Sequence, residues 1–238
     1  MTRYKTILLI DDHGMVREGA ALYLRLVNPD LEILHARSPT EGLQQVRDHH
    51  PDLVFLDLRF EDDPEAGKEL LKTLKAGDEF DDIPVVVMTG ERLDRKGVEE
   101  LIGMGAAGYL AKGTADSAEI FKLALMNMEA GGVFIHGARA GAAGAGAART
   151  PTVRSGAQLG LRPSHYRVLA RHVRGMPYKR IAHELDITEA TVKEYVSDMC
   201  RDFKVENAKE LIYEVARAGM AFEDDAIVKS SKGDGRGR

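Results

Sequence analysis

The chain has 238 residues, 44% of them hydrophobic, which is ordinary for a globular protein and enough to bury one or two cores. No stretch approaches the ~20 uninterrupted apolar residues of a membrane span, and the amino terminus lacks a basic-then-apolar signal pattern, so a cytoplasmic protein without a membrane partner is expected. The net charge of −5 divides unevenly: residues 1–130 carry 15 basic against 25 acidic side chains and residues 151–220 carry 12 against 9, which predicts two domains with different partners.

The first half alternates short aliphatic runs with segments of helical period. The runs are TILLI (Thr6 to Ile10), LEIL (Leu31 to Leu34), DLVFL (Asp52 to Leu56), IPVVVM (Ile83 to Met88) and AGYL (Ala107 to Leu110). Between them, apolar residues recur every three or four positions, as at Val16, Ala20, Tyr23 and Leu24. Five strands alternating with helices predict an α/β domain with a parallel sheet covered on both faces. The unbroken hydrophobicity of VFL and VVVM fits strands buried on both sides.

Polar residues stand where these runs end. Asp11 and Asp12 follow the first, Asp57 the third, Thr89 the fourth, and Lys112 the fifth. Ligands of open parallel sheets bind beyond the carboxyl ends of the strands, so these five residues converge on one edge. Carboxylates gathered together repel and call for a cation, and a set of oxygen donors favours Mg²⁺ over zinc. A carboxylate beside Mg²⁺, a hydroxyl at Thr89 and an ammonium at Lys112 together make a phosphoryl-transfer constellation in which one aspartate attacks phosphorus.

The stretches ILLIDDHGMVREG, LVFLDLR, VVVMTG and GAAGYLAK, in this order and spacing, resemble the receiver domain of bacterial two-component response regulators. The resemblance implies a flavodoxin-like, doubly wound five-stranded receiver over residues 1–130. It further implies that Asp57 accepts phosphate from a sensor histidine kinase, and that Asp11, Asp12 and Asp57 bind Mg²⁺ with the backbone carbonyl of Arg59. Thr89 and Lys112 would contact the phosphoryl group. Tyr109 would be the aromatic that changes rotamer when Thr89 moves inward; it reads equally well as a packed strand residue. One departure stands out. The family commonly has a glycine about eight residues beyond the phosphoacceptor, whereas RFEDDPEAG puts Gly67 ten residues beyond Asp57 and crowds Glu61, Asp62, Asp63 and Glu65 into the loop. Charge of that sign should disfavour an acyl phosphate and alter its kinetics. Arg59 is placed to affect the lifetime of the phosphate.

From Gly137 to Ala148 the chain is nearly all glycine and alanine and Pro151 follows, so residues 131–157 read as a flexible linker, with a short alanine helix as the other possibility. Residues 158–220 read as four short helices broken at GMP, DIT and KVEN, and the polar, glycine-rich residues 221–238 as a disordered tail. Thr188 is a helix N-cap, with Val192, Val196, Met199 and Phe203 forming the apolar stripe of the helix that follows. The single cysteine, Cys200, reads as a small packed apolar residue and agrees with a reducing compartment. The preceding YKRIAHELDI supplies a shorter helix and a tight turn, which completes a helix-turn-helix pattern.

The pieces LRPSHYRVLARHVRGM, KRIAHELDITEATVKEYV and FKV resemble the LuxR-type output domain of NarL-like response regulators. By that resemblance Lys193, Glu194 and Ser197 fall at positions of groove contact with double-stranded DNA and Lys179 and Thr191 near phosphate contacts. The last helix would supply the surface of a homodimer formed on phosphorylation. Between Thr188 and Phe203, however, Glu189, Glu194, Asp198 and Asp202 outnumber Lys193 and Arg201, which phosphates oppose. Phosphate binding would then lean on Arg162, Arg167 and Arg180. The expected function is phosphorylation-controlled DNA binding that regulates transcription. The alternative is a phosphorylation-controlled adaptor whose helical domain binds protein. An enzyme, such as an aspartyl-nucleophile phosphatase, is disfavoured because Arg59 stands where those enzymes carry a second carboxylate.

Overall fold

The computed structural model describes residues 2–77, 79–138, 152–153, 161–218 and 220–222. The sheet contains β1 (Thr6–Ile10), β2 (Glu32–Ala36), β3 (Leu53–Leu56), β4 (Val85–Thr89), β5 (Gly108–Ala111) and β6 (Phe134–His136), in the order β2-β1-β3-β4-β5-β6. Every pairing is parallel. The helices between them are α1 (Gly14–Val27), α2 (Pro39–His49), α3 (Ala66–Ala76), α4 (Arg95–Gly103) and α5 (Ala118–Glu129). Residues of β3, β4 and β5 are buried along their whole length, which explains why these strands lack polar alternation. One sheet face packs Leu8, Val54 and Val87 against α2, α3 and α4; the other packs Leu9, Phe55 and Val86 against α1 and α5.

Two expectations about boundaries need correction. Residues 134–136, assigned to the linker, form a sixth strand whose Phe134 pairs with Gly108. Three β-forming residues suffice here because β5 offers an open edge and the turn at Gly131 adopts φ +67. Ala221 and Phe222, assigned to the tail, are also ordered. β7 (Thr152–Val153) pairs in parallel with β8 (Met220–Ala221). Phe222 is buried, its amide donating to the Ala130 carbonyl at 3.0 Å and its ring lying 5.5 Å from that of Tyr166. The remainder of the expected linker and tail lies outside the described residues.

The second half forms α6 (Pro163–His172), α7 (Tyr178–Leu185), α8 (Glu189–Phe203) and α9 (Ala208–Arg217), with breaks at the expected places. Asp186 in the α7–α8 turn adopts φ 54, a left-handed position that aspartate tolerates. Val192, Val196, Met199 and Cys200 turn inward from α8. The helical unit does not stand apart from the sheet. α9 packs along α4, where the Arg95 guanidinium lies 5.0 Å from the Tyr213 ring centroid and 3.8 Å from Glu214. One apolar cluster runs from Leu101 and Ile102 of α4 into Leu211 and Ile212 of α9.

Candidate phosphoryl and nucleic-acid sites

The strand ends are drawn together by backbone bonds that extend the ladder one residue past β1 and β3. The Asp11 amide donates to the Ala36 carbonyl at 3.1 Å and the Asp57 amide to the Ile10 carbonyl at 2.9 Å. Because Ile10 pairs with Leu56, Asp11 and Asp57 emerge side by side. Thr89 pairs with Ala111, so Lys112 enters from the neighbouring edge. Its ammonium lies 2.5 Å from Asp57 Oδ2 and 2.7 Å from Asp11 Oδ2. The contact to Asp11 is an ion pair without an aligned hydrogen bond. Asp11, Asp57 and Thr89 are all buried. Burial pushes the Asp57 carboxyl up, and the Lys112 ammonium only partly offsets this.

Asp12 is more open. Burial opposes its ionisation, but the Glu61 amide at 2.8 Å and His13 at 2.6 Å hold its carboxyl below the usual range. His13 is raised in turn by its bond to Asp12. The Arg59 amide lies 3.3 Å from Asp57 Oδ1, while the Arg59 guanidinium turns outward to Glu91 at 3.2 Å. Thr89 Oγ1 accepts from the Glu91 amide at 3.3 Å. Tyr109 is fully buried, and its hydroxyl ties the same loop down by accepting from the Leu93 amide at 3.0 Å and donating to the Glu91 carbonyl at 2.8 Å.

The extended acidic loop does not point its charge at Asp57. Glu61, Asp62, Asp63 and Glu65 are exposed, where water and salt screen them. Gly67 nonetheless reaches the acceptor strand. A side chain there would collide with the carbonyl oxygens of Asp57 and Leu58, so glycine is required for α3 to pack this close.

In the helical unit, Thr188 caps α8 by accepting from the Thr191 amide at 3.1 Å. Lys193, Glu194 and Ser197 lie together on the exposed face of α8, and Lys179 is exposed on α7. Thr191 is half-buried, its hydroxyl 2.9 Å from that of Thr188. Asp198 turns aside toward Arg162 at 3.8 Å and Arg201 at 3.3 Å, so the exposed face of α8 is less acidic than its composition.

Residues 7–124 match the response regulator receiver domain, and residues 165–215 match the LuxR family of bacterial regulatory proteins. The chain is 33% identical to the nitrate/nitrite response regulator protein NarL of Escherichia coli strain K12 over 208 residues, which is 86% of this chain and 92% of that one. It is 28% identical to the transcriptional activator protein ExaE of Pseudomonas putida over 224 residues, 90% of this chain and 97% of that one. With the transcriptional regulatory protein LiaR of Bacillus subtilis the identity is 38% over 117 residues, 48% of this chain and 51% of that one.

The chain belongs to the NarL-like response regulators.

It therefore combines a receiver with a LuxR-type helix-turn-helix output domain, an organisation of DNA-binding transcription regulators and not of enzymes. The donor set of this response regulator suits Mg²⁺. Asp11, Asp12 and Asp57 converge with His13, each offering a ligand atom within 4.8 Å of the others, and the three carboxylates supply only oxygen. Lys112 alone cannot neutralise three carboxylates. Sequence reasoning overlooked His13, whose signal is adjacency to Asp12, and Arg17, whose guanidinium donates to the Asp11 carbonyl at 2.5 Å and fixes the backbone of the pocket. Among the described residues no helix is long and apolar enough to cross a membrane.

Proposed function

We propose that Asp57 is the phosphoacceptor and that its phosphorylation controls the pairing and DNA binding of the output domain. The observation that carries this reading is the approach of Lys112 to both Asp57 and Asp11 beyond adjacent parallel strands. A carboxylate oxygen of Asp57 attacks the phosphorus of a kinase phosphohistidine. The P–N bond breaks, the imidazole leaves with a proton, and Asp57 becomes an acyl phosphate. Lys112 and Thr89 contact the phosphoryl oxygens and offset their charge. Asp11, Asp12, Asp57 and the Arg59 carbonyl would hold Mg²⁺, which would offset charge on the transferred group.

Loss of the Thr89 bond to Glu91 on engaging the phosphoryl group frees the loop that Tyr109 ties to the start of α4. That loop adjoins the seam between α4 and α9, so acylation shifts the balance away from the arrangement in which α9 packs on α4. Once released, α9 is free to pair two copies. Lys193, Glu194 and Ser197 then read base edges, and Lys179 and Thr191 contact phosphates. The pairing of Asp198 with Arg162, which lowers the acidity of α8, supports DNA over a protein partner. The setting is the cytoplasm, where the kinase delivers its phosphoryl group.

The direct test is incubation of the full chain with Mg²⁺ and acetyl phosphate, followed by peptide mass mapping. One phosphoryl group on the Asp57 peptide, lost on chelation of Mg²⁺ and in Asp57→Asn, is expected. Labelling elsewhere, or equal labelling of Asp57→Asn, contradicts the assignment.

A further inference from the structure

The acidic pocket holds one side-chain donor that is not oxygen. His13 stands at the N-cap of α1, directly after Asp12, and its amide donates to Asp11 Oδ1 at 2.9 Å. Its ring turns toward the carboxylates, with Nδ1 2.6 Å from Asp12 Oδ1 and 3.4 Å from Asp11 Oδ1. Lys112 approaches Oδ2 of Asp11 and of Asp57, and the Glu61 amide takes Oδ2 of Asp12. One ligand atom from each of Asp11, Asp12, His13 and Asp57 falls within 4.8 Å of the others. The Asp11 carboxylate is fully buried and its Oδ2 accepts no hydrogen bond, so the pocket keeps capacity for a cation besides Lys112. Neighbouring ligands of an octahedral ion with bonds of about 2.1 Å stand about 3.0 Å apart. Nδ1 and Asp12 Oδ1 are close to that spacing, and the His13 ring is exposed and has room for the small rotation that completes it.

We propose that His13 is a metal ligand that sets which cation the pocket prefers: Nδ1 joins Asp12, Asp57 and the Arg59 carbonyl toward a first-row transition cation such as Mn²⁺, but not toward Mg²⁺. The proposal rests on the metal-site reading above and adds a donor and a preference to it. Binding requires the ring proton on Nε2, which leaves the Nδ1 lone pair to the ion. Mg²⁺ dehydrates reluctantly and keeps water in preference to imidazole. Imidazole suits the first-row transition ions, whose affinities for nitrogen donors rise from Mn²⁺ onward. The carboxylates serve both classes of ion, so the preference comes from His13. The pocket then fills with Mn²⁺ at concentrations at which Mg²⁺ leaves it largely empty.

The test compares full-length wild type, His13→Ala and His13→Asn. Mn²⁺ affinity is read from the electron paramagnetic resonance of the free ion, and Mg²⁺ affinity from the concentration that displaces bound Mn²⁺. Pulsed resonance of the Mn²⁺-loaded wild type should show hyperfine coupling to a directly bound nitrogen, absent in both variants. The ratio of Mn²⁺ to Mg²⁺ affinity should fall about 10-fold in both. A merely structural role does not move that ratio, because loss of the hydrogen bond to Asp12 weakens both ions alike. Asn is a favourable N-cap, so His13→Asn carries the test should His13→Ala fail to fold. Absence of the nitrogen coupling, or a ratio unchanged in the variants, while Asp12→Asn weakens binding of both ions, overturns the role of His13 alone. Wild type that binds neither ion, or binding that Asp12→Asn leaves intact, overturns the metal-site reading itself.

Discussion

Lys112 bridges Asp57 and Asp11, its ammonium 2.5 Å from one carboxylate and 2.7 Å from the other. Both carboxylates are buried, so the lysine is their main countercharge in the absence of a metal. Lys112→Ala leaves two buried charges unpaired, at a cost of about 3–5 kcal/mol. The melting temperature of the metal-free protein should fall, and added Mg²⁺ should restore much of it. Phosphoryl uptake from acetyl phosphate should slow about 100-fold, as for other sites that lose one preorganised donor. Melting curves and rates of labelling check the two effects separately.

Gly67 meets the backbone of Asp57 and Leu58 so closely that even a methyl group has no room. Gly67→Ala should push α3 away from the acceptor strand, with a stability loss of about 1–3 kcal/mol typical of overpacking. Chemical denaturation measures that loss. Labelling of Asp57 should fall with it, while a Gly77→Ala control, in open space, should change neither.

Tyr109→Phe removes both bonds that hold Glu91 and Leu93. The Leu93 amide is then left without this partner, costing about 1–3 kcal/mol locally. Hydrogen exchange should quicken from Glu91 to Arg95 and along the α9 seam, with the sheet core unchanged. Exchange confined to the mutated strand would sever Tyr109 from the seam.

Acid should weaken the helical unit through His172. Burial depresses its imidazole from 6.5 to about 4, and its Nε2 has no hydrogen-bond partner. Between pH 6.5 and about 4 the unfolded chain therefore binds a proton that the folded chain does not. Stability is full above this window, falls as pH falls through it, and levels off below about 4. The loss attributable to this one residue is up to about 3 kcal/mol. Denaturation of His172→Phe, which retains a ring beside Tyr178, should show a shallower decline between pH 6.5 and 4 than wild type.

The strand-end residues were legible because each follows a hydrophobic run, and parallel pairing places such residues together. Thr188 was legible as a cap because capping is a local matter of one side chain and the next turn. β6 was missed because three strand-forming residues between glycines resemble a linker, and only the open edge of β5 gives them a place. The pairing of Asp198 with Arg162 depends on where the start of α6 lies. The Arg180–Asp81 pair spans 99 residues and no local pattern reports it. The crowding of acidic residues after Asp57 suggested a penalty that their exposure reduces.

The central claim, that phosphorylation gates a DNA reader, is tested most directly by selection from random duplex DNA. Full-length protein would be used with and without a Mg²⁺-dependent phosphoryl mimic, alongside Lys193→Ala. The account predicts a roughly palindromic enriched site that requires the mimic and is lost in Lys193→Ala. No enrichment in either state, from folded protein shown to carry the mimic at Asp57, would contradict it.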